Sequence, residues 1–145
     1  MFDTIRRRLT ADDHVTFTLL RYEVDGTVRF AGSHEELIVW RAGTGVCEQI
    51  PTPGTWLGAV PDVDAATTEQ RLQLASGDLL VLYTDGVIEA RNVQRRQFGI
   101  DQLCQLVNRL GRNCSSDEIY QAIVSAVLAW GPQDDDITVV VLRKQ

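Results

Sequence analysis

The stretch Leu79-Leu80-Val81-Leu82-Tyr83-Thr84-Asp85-Gly86 decides the reading of this chain. A run of apolar residues without alternation reads as a strand buried on both faces. It stops at a carboxylate backed by glycine, so Asp85 leaves a rigid element and enters whatever lies at its mouth. A second apolar run, Ile137-Thr138-Val139-Val140-Val141-Leu142, follows the break at Gly131-Pro132 and is preceded by Asp134-Asp135-Asp136. Carboxylates held near strand ends repel unless a cation, a helix N-terminus or water compensates. Two such loops point to one divalent-cation site if the strands are neighbours. Oxygen ligands without nearby His or Cys favour magnesium or manganese over zinc. The plainer alternatives are a turn at Asp85-Gly86 and a solvated loop at the aspartate run.

Outward from the central strand, the first half of the chain reads mostly as sheet. Val15-Thr16-Phe17-Thr18-Leu19-Leu20 and Thr27-Val28-Arg29-Phe30 flank Asp25-Gly26, a hairpin signature. Leu37-Ile38-Val39-Trp40 forms a strand, Gly43-Thr44-Gly45 a turn, and Val46 to Ile50 its antiparallel partner. Pro51 to Gly58 interrupts regular structure, and Thr67 to Leu74 resumes a strand. Gly77-Asp78 is the turn before the central run. Phe2 to Leu9 reads as a helical remnant.

The second half reads as helix. Ile100, Leu103, Leu106, Val107 and Leu110 make an apolar stripe that ends at Gly111. Ser115 and Glu118 have capping-box spacing, and Ile119, Ile123, Val124, Val127 and Leu128 continue one face up to Gly131. The expected fold class is α+β, with antiparallel β-sheets covered by helices.

Composition narrows the function classes. A chain of 145 residues with 44% hydrophobic content buries one substantial core, and a single domain over 1–145 is expected. A net charge of −6 provides no broad basic surface for nucleic acid. Arg6-Arg7-Arg8 and Arg95-Arg96 are short clusters that read as solvated faces, the second close enough to Asp85 to meet a phosphorylated partner. No apolar stretch approaches the ~20 residues that cross a bilayer, and no signal peptide opens the chain, so a cytoplasmic location is expected. Cys47, Cys104 and Cys114 lack the spacing of a disulfide framework or a zinc site and read as reduced thiols. Ser33-His34-Glu35-Glu36 concentrates polar groups, but residues adjacent in sequence do not converge as a nucleophile relay. It reads as a polar loop, and His14 as the start of a strand.

The segments Gly77 to Ala90, Phe98-Gly99 and Asp135-Asp136-Ile137-Thr138 carry a resemblance. They are similar to the PPM-type serine/threonine phosphatases, in particular the stage II sporulation protein E branch. Ala31-Gly32-Ser33-His34 and Trp56-Leu57-Gly58 fall where that branch has its Ala-Gly-His and Leu-Gly segments. The resemblance implies part of an α-β-β-α sandwich and metal-assisted hydrolysis of phosphoserine or phosphothreonine on a protein. It implies two magnesium or manganese ions in the complete site, activating a shared water without a covalent nucleophile. Asp85 and Asp135 match the metal ligands, and Gly86, Asp136 and Thr138 match supporting positions. The implied partner is a phosphorylated regulatory protein of the anti-sigma-factor antagonist type.

One departure accompanies the match. The earlier Gly-Asp segment that bridges the two metals in that family has no counterpart here, and Asp25-Gly26 is a hairpin turn instead. The chain therefore resembles the C-terminal portion of the domain, with weak or absent metal binding expected of it alone. The missing part is expected from upstream sequence or a second chain. A noncatalytic interaction module is the alternative, and a sheet edge left open by the missing strands invites a homodimer.

Overall fold

The computed structural model describes residues 15–56 and 66–145. The expected helix at 2–9, the Arg6–Arg8 cluster, His14 and the segment Leu57-Gly58 lie outside the described residues. The chain divides into two compact units, residues 1–34 with 51–73, and residues 35–50 with 74–145.

In the first unit, β1 (Phe17–Tyr22) and β2 (Thr27–Ser33) form the expected hairpin, and β5 (Gln70–Gln73) pairs with the other edge of β2. The Asp25 carboxylate accepts from the Thr27 N–H at 2.8 Å and shapes the turn. Val28 and Phe30 alternate inward and are buried, as a period of two requires. Gly32 sits at φ 120°, and a Cβ there would lie 2.2 Å from the Phe17 carbonyl oxygen, so only glycine lets the two backbones approach. His34 is tied down as a loop residue. Its N–H donates to Thr52 Oγ1 at 3.1 Å, its carbonyl accepts from the same hydroxyl at 2.7 Å, and its Nδ1 lies 3.1 Å from Thr16 Oγ1. The strand expected over 67–74 is confined to β5, because alternation marks a strand's faces but not its ends.

The second unit holds a four-stranded antiparallel sheet in the order β4-β3-β6-β7, with β3 (Leu37–Arg41), β4 (Val46–Ile50), β6 (Leu79–Tyr83) and β7 (Val139–Arg143). β6 is interior, paired with β3 on one side and β7 on the other. Leu79, Val81 and Tyr83 face one side and Leu80 the other, and all are buried, as the unbroken apolar run requires. After β6 come a helical turn, α1 (Asp85–Ile88), and two longer helices, α2 (Gly99–Leu110) and α3 (Ser116–Trp130). Ile38, Trp40, Leu79, Val81 and Tyr83 pack with Leu103, Val107, Ile119, Ile123 and Val127 in one core, so the helical stripes cover the sheet. The box at Ser115 and Glu118 is formed on both sides. Ser115 Oγ accepts from the Glu118 N–H at 3.2 Å, and the Glu118 carboxylate accepts from the Ser115 N–H at 2.7 Å.

Asp78, read from the sequence as a turn residue, is 2% exposed and fastens three segments. Its carboxylate accepts from the Ala42 N–H at 2.8 Å, the Ala75 N–H at 3.0 Å and Arg41 Nη1 at 2.9 Å. Burial alone would raise its pKa, but these donors outweigh burial and hold it below the usual carboxylate range. Arg143 fastens the end of β7 beside it, donating to the carbonyls of Gly77, Gly111 and Cys114 at 2.8 to 2.9 Å. Among the described residues no helix is long and apolar enough to cross a membrane.

Candidate functional site

The site begins where β6 and β7 part. Tyr83 pairs with Val139, the last rung of the ladder, and Thr84 continues it. The Thr84 N–H donates to the Thr138 carbonyl at 3.1 Å. Its hydroxyl accepts from the Thr138 N–H at 3.0 Å and donates to the Asp136 carbonyl at 3.1 Å. Thr84 thus extends the sheet by one rung through its side chain and ties the turn after β6 to the loop before β7. Sequence reading passed over this residue, although a hydroxyl at the end of an apolar strand was the available signal.

Beyond Thr84 the chain does not continue as strand but tightens into α1, with Asp85 as its first residue. Gly86 presses against the aspartate loop. A Cβ on it would stand 2.4 Å from the Asp136 carbonyl oxygen and 3.5 Å from the Asp135 carbonyl carbon. The glycine that backs Asp85 is therefore what allows the two acidic segments to abut. Asp85 Oδ1 accepts from the Gly86 N–H at 2.9 Å, and Asp135 Oδ1 accepts from the Asp136 N–H at 2.7 Å. Each bond biases its carboxylate's rotamer and leaves its second oxygen available. Asp85, Asp134, Asp135 and Asp136 are all solvent-exposed. Beside them lies a cavity of about 290 Å³ whose wall includes Gly86, Glu89, Leu128, Pro132, Asp135 and Ile137.

The donor set is carboxylate oxygen, the chemistry of a hard divalent cation, and magnesium is commonly held by one or two carboxylates with water completing the shell. Among the described residues, no three of His, Cys, Asp and Glu converge on one point. The residues thus fit a weakly held ion in kind, and do not by themselves make a two-ion cage.

The family model for Stage II sporulation protein E (SpoIIE) matches residues 1–145. The chain belongs to this family. Solved structures share the fold. The RsbU and RsbW domains of Rv1364c from Mycobacterium tuberculosis align with a TM-score of 0.80 at 18% identity, over 99% of this chain and 40% of that one. The SiaA-PP2C domain of Pseudomonas aeruginosa gives 0.79 at 20% identity, over 97% and 56%. The manganese-presoaked phosphatase domain of the cell fate determinant SpoIIE from Bacillus subtilis gives 0.67 at 20% identity, over 97% and 62%. This chain thus spans between 40% and 62% of the length of these three structures. No curated protein sequence matches. The SpoIIE assignment fixes the α+β class and the phosphatase-like domain, in agreement with the antiparallel sheets and covering helices.

Proposed function

We propose that this chain is the C-terminal, metal-ligating part of a domain that hydrolyses phosphoserine or phosphothreonine on a bacterial regulatory protein of the anti-sigma-factor antagonist type. Asp85 and Asp135 would hold manganese or magnesium, and Gly86, Asp136 and Thr138 would position them. The observation that carries this reading is the docking of the two acidic segments through Thr84 and Gly86. A bound ion would supply an activated water and offset charge developing on the phosphoryl oxygens. The chain's own residues present carboxylate oxygens from the turn after β6 and from the loop before β7. The shares of the solved structures that it spans support an upstream segment as the source of the remaining ligands. A cytoplasmic setting and a partner from a signalling pathway belong to the same proposal, and the regulatory roles named for SpoIIE and for the P. aeruginosa component PppA support it.

The test is hydrolysis of a phosphoserine protein by the 145 residues alone and by a protein extended upstream, each with manganese. The extended protein is expected to turn over and to lose activity with Asp85→Asn, while the 145 residues bind manganese weakly and turn over little. Robust hydrolysis by the short chain, abolished by Asp85→Asn, would refute its incompleteness, and an extended protein indifferent to Asp85→Asn would refute the ligand assignment. A noncatalytic interaction module is the second reading, favoured by the lack of a three-ligand cluster among the described residues. It requires partner binding that survives both Asp85→Asn and Asp135→Ala.

A further inference from the structure

We propose that Cys47 and Cys104 form a redox-active pair that a hydroperoxide converts to a disulfide joining β4 to α2. The placement follows from register and packing. Cys47 lies directly across from Trp40 on β3, and residues paired across strands share a face, so Cys47 points with Trp40 toward the helices. The Cys47 N–H donates to Asn108 Oδ1 on α2 at 2.7 Å, which holds the strand against the helix at this level. Cys47 Sγ donates to the Cys104 carbonyl at 3.7 Å, which brings the two cysteines into contact. Gln49 Nε2 donates to Cys104 Sγ, also at 3.7 Å. A sulfur with a side-chain amide donor aimed at it is favoured as thiolate.

The charge balance agrees with that arrangement. The Cys104 thiol is brought down to about 7, first by the neighbouring Cys47 thiol and then by Gln49, against burial and the nearby Asp101 and Glu36 carboxylates. Cys47 moves up, because ionising it would forfeit its bond to Cys104 and because it is partly buried. One thiolate and one thiol in contact are the two halves of a disulfide-forming reaction. β4 is an edge strand, and Cys47 is half-buried whereas Cys104 is 9% exposed, so a small oxidant enters from the edge.

The chemistry balances with a hydroperoxide as the two-electron oxidant. The Cys104 thiolate attacks the peroxide oxygen, the O–O bond breaks and hydroxide leaves, giving a sulfenic acid. The Cys47 sulfur then attacks the sulfenic sulfur. The S–S bond forms, the S–O bond breaks, and the hydroxyl departs as water with the Cys47 proton. Cys114, half-buried and outside this bonded set, serves as the internal control.

The experiment exposes the reduced chain to hydrogen peroxide at neutral pH and maps its thiols by mass spectrometry. The expected product is lighter by two hydrogens, carries a Cys47–Cys104 linked peptide with Cys114 free, reverts with dithiothreitol, and melts at a higher temperature than the reduced form. Cys47→Ser should stop at a sulfenic acid on Cys104 that dimedone captures. A readout that needs no variant is the pH dependence of alkylation of the native chain, in which Cys104 should reach half its maximal rate near neutrality while Cys47 lags. The proposal is overturned if Cys114 oxidises first, if the linkage forms only between chains, or if Cys104 alkylates with the profile of an ordinary thiol.

Discussion

Replacing Gly86 with alanine tests whether the two acidic segments are held as described. The added Cβ would stand 2.4 Å from the Asp136 carbonyl oxygen and 3.1 Å from its carbon. Carbon–oxygen contacts relax at about 3.3 Å, so the aspartate loop must retreat by roughly 1 Å. The atoms met are backbone, with no side-chain rotamer to absorb the displacement. Overpacking of this kind costs about 1 to 3 kcal/mol. The loop is exposed and has room to yield, but retreat stretches the bonds to Thr84, each contributing about 1 kcal/mol, so about 2 kcal/mol is expected. With a urea dependence of about 2 kcal/mol per molar, the unfolding midpoint should fall by about 1 M. Gly43→Ala is the control, since a Cβ there meets nothing within 4 Å, and it should change stability by less than about 0.5 kcal/mol. Manganese affinity measured by calorimetry should drop roughly tenfold or more in Gly86→Ala, the usual scale when a ligand's support is disturbed. An alanine variant matching the parent in both midpoint and affinity would show that the segments do not abut, and the shared-site reasoning would fail with it.

Three other perturbations bear on separate links. Asp135→Ala should weaken manganese binding more than Asp134→Ala, and calorimetric titration giving the reverse order would reject the ligand assignment. Asp78→Asn should destabilise by about 3 kcal/mol in urea unfolding, the lower end for breaking a buried pair because Arg41 keeps its contact with Glu48 at 2.8 Å. Since the folded-state pKa of Asp78 lies below its unfolded value of about 3.9, its contribution is complete above that value and is lost as pH falls through the folded-state pKa. The parent chain should therefore lose stability on acidification more steeply than Asp78→Asn, and parallel acid profiles would contradict this. The outer strands β4 and β7 leave sheet edges among the described residues, and a second copy pairing there should appear as a concentration-dependent mass in light scattering. A constant monomer mass would dispose of that pairing.

Much of the second unit was legible because single positions carried strong constraints. An unbroken apolar run admits few environments besides an interior strand, and Leu79 to Tyr83 is one. Ser115 and Glu118 specify a helix start through two reciprocal bonds, and the structure makes both. What escaped was long-range. Asp78 looks like any polar turn residue until Arg41 and Ala42, 37 and 36 positions away, are brought to it. Thr84 looks like the end of a strand until the last strand returns, and the helical turn at Asp85 depends on contacts with a loop that local propensity does not register. Cys47 and Cys104 have no informative spacing, because their meeting is set by the packing of a strand on a helix. Residues that answer to their neighbours in sequence could be read, whereas those answering to neighbours in space could not.

The side-chain rung at Thr84 has a consequence for when the proposed cation site could form. Thr84 and Asp136 are 52 positions apart, and in the unfolded chain that separation is a flexible coil whose closure is entropically unfavourable. A dissolved ion would encounter Asp85 and the Asp134–Asp136 run as separate segments there, with no geometry that joins them. On the proposed ligation, manganese would reward completion of this sheet rather than nucleate it, so added metal should slow unfolding without hastening refolding.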